Sequence, residues 1–445
     1  MAQIATVGLW HLGCVVSAGL ASLGHTVRGT DPDAETVRRL QQGIPPLHEP
    51  GLPEVVAEQA KLGRLTFVMT AREAFQDAEF IFLTFDTPVD ENDESDLNPV
   101  EAYLGQIARH ARQDATIVVM SQVPVGTCER FAERLHRVAP HASHSLVCQP
   151  ENLRLGEALA TFLHPDFLLV GAEDEHAARG LLSLYDGIQA QKLVVGRNSA
   201  EMAKHALNAF LATSISFVNE LANLSEACGA DIGEIVRVLR LDRRIGKHAF
   251  LSPGAGFSGG TLGRDLQTLR RLGASKNEKT LQLDATVAVN NSRLNDLIGK
   301  LQRECGALSG LRIGLLGLTY KAGTSTLRRS RALELARMLL SMGISIRAFD
   351  PMVTEPREGT HGIVLCADAY HAAKAADAVF LMTPWPEFRS LDMNRLRQAM
   401  HRPLLIDAHN FLDVGTARAA GFRYRGVGIP GQREALAGVG IGRGQ

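Results

Sequence analysis

Lys204 and Asn208 stand four residues apart in a helical pattern that opens near Ser199, so both point the same way, one turn apart. An ammonium group beside a carboxamide can hold a developing oxyanion. Glu201 lies three residues before Lys204, and Ala203, Leu207, Leu211 and Ala212 leave the helix little solvated face. Glu151, in Gln149-Pro150-Glu151-Asn152-Leu153-Arg154, follows the apolar run Ser145–Cys148 and is a candidate acid or base at a sheet edge. The stretch from Gly254 to Asp265 has five glycines in ten residues and ends in Arg264 and Asp265, just where an apolar helical pattern starts at Leu266. Such a backbone bends tightly and approaches a ligand closely. It reads as a loop delivering polar groups to a partner site.

The elements that position these residues begin with a nucleotide fingerprint. Ile4–Val7 reads as a buried strand, Gly8-Leu9-Trp10-His11-Leu12-Gly13 turns into a helix of small residues, and Thr26–Asp31 is a second strand ending in an acid. Strand, glycine turn, helix, strand and an acid about twenty residues on is the dinucleotide-binding layout: the helix N-terminus takes the pyrophosphate, the carboxylate the ribose hydroxyls. Trp10 occupies the middle glycine position, where an indole must swing aside or narrow the site.

Alternation of strand and helix continues through Glu79–Thr84 and Ala115–Met120, each closed by a polar turn, Asp86-Thr87-Pro88 and Ser121-Gln122-Val123-Pro124-Val125-Gly126-Thr127. Ligands lie at such strand C-termini. Helical sequence fills 200–300, including a second long helix from about Leu281 to Arg303 that carries Asn290 and Asn291. From Leu311 a second α/β pattern starts, with Ile344–Asp350 repeating the strand that ends in Asp. Its first turn carries Lys321, Arg328 and Arg329, a cationic cluster suited to a diphosphate. The expected architecture is two Rossmann-like doubly wound parallel-sheet domains joined by a long-helix central domain. Its bounds are 1–198 for a dinucleotide-binding domain, 199–303 for a helical connector that also makes dimer contacts, and 304–445 for a second α/β domain suited to a diphosphate ligand.

Composition narrows the ligand class. The 445 residues carry a formal net charge of −1, with 45% hydrophobic and 21% charged residues. No global field favours nucleic acid or a membrane surface, so small molecules are the expected partners. Six scattered cysteines show neither a C-x-x-C pair nor a His cluster, which points to reduced thiols and no metal. Without a basic-then-apolar leader or a spanning apolar run, the expectation is a cytoplasmic protein.

Together these residues resemble the UDP-glucose and GDP-mannose dehydrogenase family along nearly the whole chain. The matching segments include the N-terminal glycine turn, Glu49-Pro50-Gly51-Leu52, Thr87-Pro88, Val123–Thr127, Pro150–Arg154, Glu201–Glu220, Arg244-Ile245-Gly246, the glycine loop, Lys321 with Arg328-Arg329-Ser330, Trp385–Phe388 and Asp407–Asn410. The resemblance implies NAD-dependent oxidation of the C6 alcohol of a nucleotide sugar, through an aldehyde and a cysteine thioester. It implies a cofactor set of Gly8, Trp10, Leu12, Gly13, Asp31, Thr87 and Gln122. Lys204 and Asn208 would steady oxyanions, Asp265 would act with a water, and Glu151 would serve as acid or base. Arg244, Phe250, Gly256, Gly259, Lys321 and Arg328 would join Glu151, Lys204 and Asn208 on the substrate. The family's nucleophilic cysteine position falls on Thr261, with no cysteine between Cys228 and Cys305, and Gln122 stands where the family usually has Thr. Three readings stay open: a nucleotide-sugar dehydrogenase lacking the thioester route, an epimerase with retained NAD, and a non-catalytic nucleotide-sugar binder.

Overall fold

The computed structural model describes residues 1–87, 95–257 and 260–430. It divides into two compact units, Met1–Asn208 with Gln267–Glu278, and Ala209–Leu266 with the chain from Lys279 on. The first unit contains β1 (Gln3–Val7), α1 (His11–Ser22), β2 (Thr26–Thr30), α2 (Ala34–Gln41), α3 (Leu52–Lys61), β3 (Leu65–Phe67), α4 (Ala71–Phe75) and β4 (Phe80–Leu83). It continues with α5 (Asn98–His110), β5 (Thr116–Val119), α6 (Thr127–Val138), β6 (Ser145–Cys148), α7 (Ala158–Leu163), β7 (Phe167–Gly171), α8 (Glu175–Ser183) and β8 (Gln191–Val195). Helices α9 (Arg197–Cys228) and α11 (Leu262–Ser275) contribute residues to both units. The second unit holds α10 (Ile232–Leu241), α12 (Leu281–Cys305), β9 (Arg312–Leu316), α13 (Arg331–Ser341), β10 (Ser345–Phe349), β11 (Ile363–Leu365) and α14 (Ala369–Ala373). It ends with β12 (Ala378–Leu381), α15 (Met393–Ala399), β13 (Leu404–Asp407), α16 (Val414–Ala419) and β14 (Arg423–Arg425).

The first sheet has the order β3-β2-β1-β4-β5-β6-β7-β8, parallel except where β6 meets β7. Its strands read as continuous apolar runs because both faces are covered. Ile4, Phe82 and Val118 pack into one cluster, while their neighbours Ala5, Ile81 and Ile117 pack into another. That alternation is the two-residue strand period serving two layers of helices. The second sheet, β11-β10-β9-β12-β13-β14, is parallel throughout and does the same with Leu315 and Leu316. Val218 and Ala222 of α9, Ile232 and Val236 of α10, and Leu294 and Leu297 of α12 join the core on one face of this sheet. Strand order reverses between β1 and β4 in the first sheet and between β9 and β12 in the second, the points where ligands settle in open α/β sheets.

The helical sequence from Ser199 to Leu241 is broken at Gly229-Ala230-Asp231. There Asp231 caps α10 by accepting from Gly233 N and Glu234 N. β3, β8, β11 and β14 are edge strands, and the apolar pattern announces neither them nor β7, which lies between β6 and β8. Among the described residues no helix is long and apolar enough to cross a membrane.

Candidate active site

The glycine turn after β1 forms a cradle with no room for side chains. A Cβ on Gly13 would lie 2.0 Å from the Gly8 carbonyl oxygen and 2.8 Å from Thr84 Oγ1. Trp10 is the N-cap of α1, in an extended conformation and without a side-chain cap bond. Its indole is 45% exposed and so does not fill a buried pocket. The first amides of α1 are therefore left for a ligand, the arrangement a pyrophosphate needs. Asp31, just past β2, accepts from Leu9 N at 2.6 Å and from Asp33 N at 2.8 Å. Burial raises its carboxyl above the usual range, and these backbone bonds pull the other way. Leu12 packs half-buried against the core, and Thr87 Oγ1 donates to the Gln122 carbonyl at 2.9 Å, tying the ends of β4 and β5 together. Gly8, Gly13, the open α1 terminus and Asp31 thus fit a dinucleotide.

Beside this cradle, at the carboxyl ends of β5 and β6, lies a cleft lined by Ser121, Gln122, Cys148, Glu151, Glu201 and Lys204 among others. Lys204 is 8% exposed; its Nζ donates to the Glu151 carbonyl and stands 3.5 Å from both Glu151 Oε1 and Asn152 Oδ1. The other Glu151 oxygen accepts from Leu153 N. Asn208, one turn on, is also buried. The neighbouring His205 Nε2 meets the Val123 carbonyl at 2.9 Å, and since a carbonyl only accepts, Nε2 is the donor.

Two buried carboxylates hold this region. Glu201 accepts from Gly126 N and Cys128 N, so it caps α6, whose own N-cap, Gly126, has no side chain. Glu49 accepts from His11 Nε2, Gly156 N and Ala158 N at 2.7 to 2.9 Å, joining the first turn of α1 to the chain after Glu151. Neither role is legible from spacing, because the partners are backbone amides brought up by the fold.

The fold also gathers two thiols that are twenty residues apart. The ligand atoms of Cys128, Cys148 and Glu201, all buried, lie within 4.8 Å of one another. Both Glu201 oxygens already accept backbone N–H groups, and the positive end of α6 repels a cation there. The hydrogen bond with Cys148, and then burial, hold the Cys128 thiol well above its ordinary range. The trio is hydrogen-bonded, with Cys148 and Glu201 lining the cleft, and all six cysteines are free thiols.

In the second unit the glycine loop is pinned by side chains. Gly254 N donates to Asn219 Oδ1 at 2.8 Å, and its carbonyl accepts from Arg293 Nε at 3.2 Å. Phe257 N donates to Asn290 Oδ1 at 2.8 Å. Gly256 sits at φ +92°, with the space for a Cβ taken by Asn290 Oδ1 at 2.3 Å. Thr261, exposed, immediately precedes α11, and its carbonyl accepts from Asp265 N. Asp265 is fully buried in the first turn. Gly259 lies outside the described residues. Arg244 and Phe250 are exposed on the segment before the loop, and Arg244 forks onto Asp242 at 2.7 and 3.0 Å. Asn219, Arg293 and Arg331 escaped the sequence reading, since their partners are main-chain groups distant in the chain.

The second glycine turn is built differently from the first. Asp350, 1% exposed, accepts from Leu318 N, Thr319 N, Thr319 Oγ1 and Trp385 Nε1 through one oxygen and from Met352 N through the other. No ribose hydroxyl could displace so many donors cheaply. α13 is capped by its own Ser330, whose Oγ takes Ala332 N and Leu333 N. A diphosphate here would be met by side chains, and Lys321 and Arg328 stand exposed beside the turn.

Comparisons with known proteins agree with this division of labour. Descriptions of the UDP-glucose/GDP-mannose dehydrogenase family match residues 2–189 as its NAD binding domain, 198–292 as its central domain and 314–414 as its UDP binding domain. The chain is 34% identical over 433 residues to a putative UDP-glucose 6-dehydrogenase of Bacillus subtilis, covering 96% of this chain and all of the relative. It is 34% identical over 444 residues to a UDP-glucose 6-dehydrogenase of Pseudomonas aeruginosa, covering 96% and 98%. The structure of a UDP-glucose dehydrogenase from Pyrobaculum islandicum superposes with a TM-score of 0.88 at 34% identity, covering 96% of this chain and 98% of that one. The chain therefore belongs to the UDP-glucose/GDP-mannose dehydrogenase family and is an NAD-dependent nucleotide-sugar dehydrogenase.

Proposed function

We propose that this dehydrogenase oxidises the C6 primary alcohol of a nucleotide sugar, with UDP-glucose the first candidate, and does so without a cysteine thioester. The observation that carries the reading is the buried Lys204, its ammonium set beside Glu151 in the cleft at the ends of β5 and β6. NAD⁺, when bound, supplies the acceptor for the hydride leaving the alcohol carbon. Gly8, Gly13 and the open start of α1 would hold its pyrophosphate and Asp31 its adenosine ribose, with Trp10, Leu12, Thr87 and Gln122 around it. Lys204 and Asn208 polarise the sugar oxygen as charge builds on it, and Glu151 moves its proton. Lys321 and Arg328 meet the diphosphate, with Arg244, Phe250, Gly256 and Gly259 on the rest of the substrate. Asp265 positions a water.

Thr261 stands where a thioester would need a thiol. A threonine hydroxyl is far less acidic than a thiol and needs a strong adjacent base to act as nucleophile. The expected product is the aldehyde, or the acid reached through its hydrate. The names of the relatives support the substrate class, and the UDP-binding description of residues 314–414 supports the base. The same reading includes a homodimer through the central helices. The deciding assay incubates purified protein with NAD⁺ and UDP-, GDP- and CDP-sugars, following NADH and product mass. One NADH per sugar, with a product lighter by two hydrogens, is expected; two NADH with an acid product means that the hydrate route runs. Altered sugar without net NADH would indicate epimerisation, and binding without change a non-catalytic role.

A further inference from the structure

A side chain that follows the cationic turn reaches the glycine loop of the second unit. Arg331 is the first residue of α13, directly after Arg328, Arg329 and the Ser330 cap, and is 8% exposed. A cation gains nothing from the positive end of a helix, and burying one is costly. Its guanidinium nevertheless folds away from solvent: Nε donates to the Ala255 carbonyl at 3.1 Å, Nη2 to the Asn290 carbonyl at 3.0 Å, and Nη1 to Glu334 at 2.7 Å. Asn290 then holds Phe257 through its side chain, Oδ1 accepting from Phe257 N and Nδ2 donating to the Phe257 carbonyl at 3.4 Å. The loop is thus gripped on both sides of Gly256, four residues before Gly260 and five before Thr261. Asn219 and Arg293 also hold the loop, but from α9 and α12. Arg331 alone among these anchors grows from the turn that carries Arg328 and Arg329.

We propose that Arg331 is a positioning residue that couples diphosphate at the Lys321–Arg329 turn to the geometry of the glycine loop ahead of Thr261 and Asp265. The planar fork of the guanidinium suits this task, since it holds two carbonyls from different elements at a fixed spacing. The inference rests on the nucleotide-sugar reading above. A shift of α13 on nucleotide binding would be felt at Ala255 and, through Asn290, at Phe257.

Two measurements on the full chain test it. In steady state with NAD⁺ and UDP-glucose, Arg331→Gln should lower kcat by about tenfold or more with KM for the sugar within about twofold, as expected for a group that sets geometry without touching substrate. Unchanged kcat, or a loss confined to KM, overturns the proposal. In amide exchange with UDP as probe, the wild-type segment 254–265 should slow on UDP addition, whereas Arg331→Gln should bind UDP equally well with no slowing there; equal slowing in both proteins overturns it. If the wild type neither oxidises nor binds any sugar nucleotide, the functional reading has failed by itself. Exchange of the free loop then decides the link: faster in the variant sustains it, and no difference overturns it. Should Arg331→Gln lose its thermal transition, Arg331→Lys, which keeps the charge but not the fork, carries the same comparisons.

Discussion

Thr261 is one hydroxyl ahead of α11, and its chemistry sets an expected stoichiometry. Replacing it by cysteine introduces a thiol with an ordinary pKa of about 8.5 at the positive end of a helix, a setting that favours the thiolate. Thr261→Cys should therefore raise the NADH formed per sugar from one toward two, with acid product seen by mass; an intact fold and no gain in acid would count against the assigned geometry. Asp31 gives a second residue-level expectation. Its carboxyl must be ionised to accept ribose hydroxyls, and burial raises its pKa in the folded protein. Affinity for NAD⁺ should thus fall as pH is lowered, with the loss starting at higher pH than an unperturbed aspartate at about 3.9 would give. Titrating NAD⁺ by fluorescence from neutral to acid pH reads this directly, and Asp31→Asn should be weak and flat across the range. Both residues could be singled out from the sequence, Asp31 by its distance from the glycine turn and Thr261 by its place in the loop. The upward pull on Asp31 could not, because burial is a property of the folded chain.

At the scale of elements, α6 and the glycine loop depend on groups outside them. Glu201→Gln keeps the shape but turns an amide toward two N–H donors, Gly126 and Cys128. Losing a charged acceptor of this kind should cost about 1–3 kcal/mol. A lowered Tm with faster amide exchange at the start of α6 is the expected result; an unchanged Tm would mean the cap is dispensable. Gly256→Ala must strain a backbone at φ +92° and push its Cβ against Asn290 Oδ1 at 2.3 Å. The expected cost is about 1–3 kcal/mol, with the Phe257–Asn290 bond lost. A crystal structure of the variant with that bond intact would refute the account. The sequence marked the loop by its glycines and the helix by Lys204 and Asn208. It could not show that Asn219, Asn290, Arg293 and Arg331 hold the loop, since each donates to or accepts from a main-chain group dozens of residues away.

For the whole molecule, α9 offers a surface. Phe210, Phe217 and Leu224 recur every seven residues and are 72%, 50% and 61% exposed. A stripe at that period suits helix pairing, and exposed apolar surface of this kind is what the proposed homodimer would cover. Phe217→Glu with Leu224→Glu should convert a sedimenting dimer to a monomer; a wild type that sediments as monomer would remove the dimer from the reading. The sequence determined the central strands of both sheets by their apolar runs, since burial on two faces leaves a one-dimensional trace, and it determined the glycine turn because close approach demands specific residue types. It also showed that no cysteine lies between Cys228 and Cys305, the stretch that holds the glycine loop. Only the tertiary structure decided that the two similar turns are built differently. The α1 N-cap makes no side-chain bond and Asp31 accepts two backbone N–H groups, whereas Asp350 is saturated by Trp385 and its neighbours and α13 is capped by Ser330. It likewise decided that Cys128 meets Cys148 and that Glu49 and Glu201 serve backbone amides. Those pairings depend on which strands lie side by side, and a hydrogen bond to a main-chain group leaves no signature in the identity of its partner.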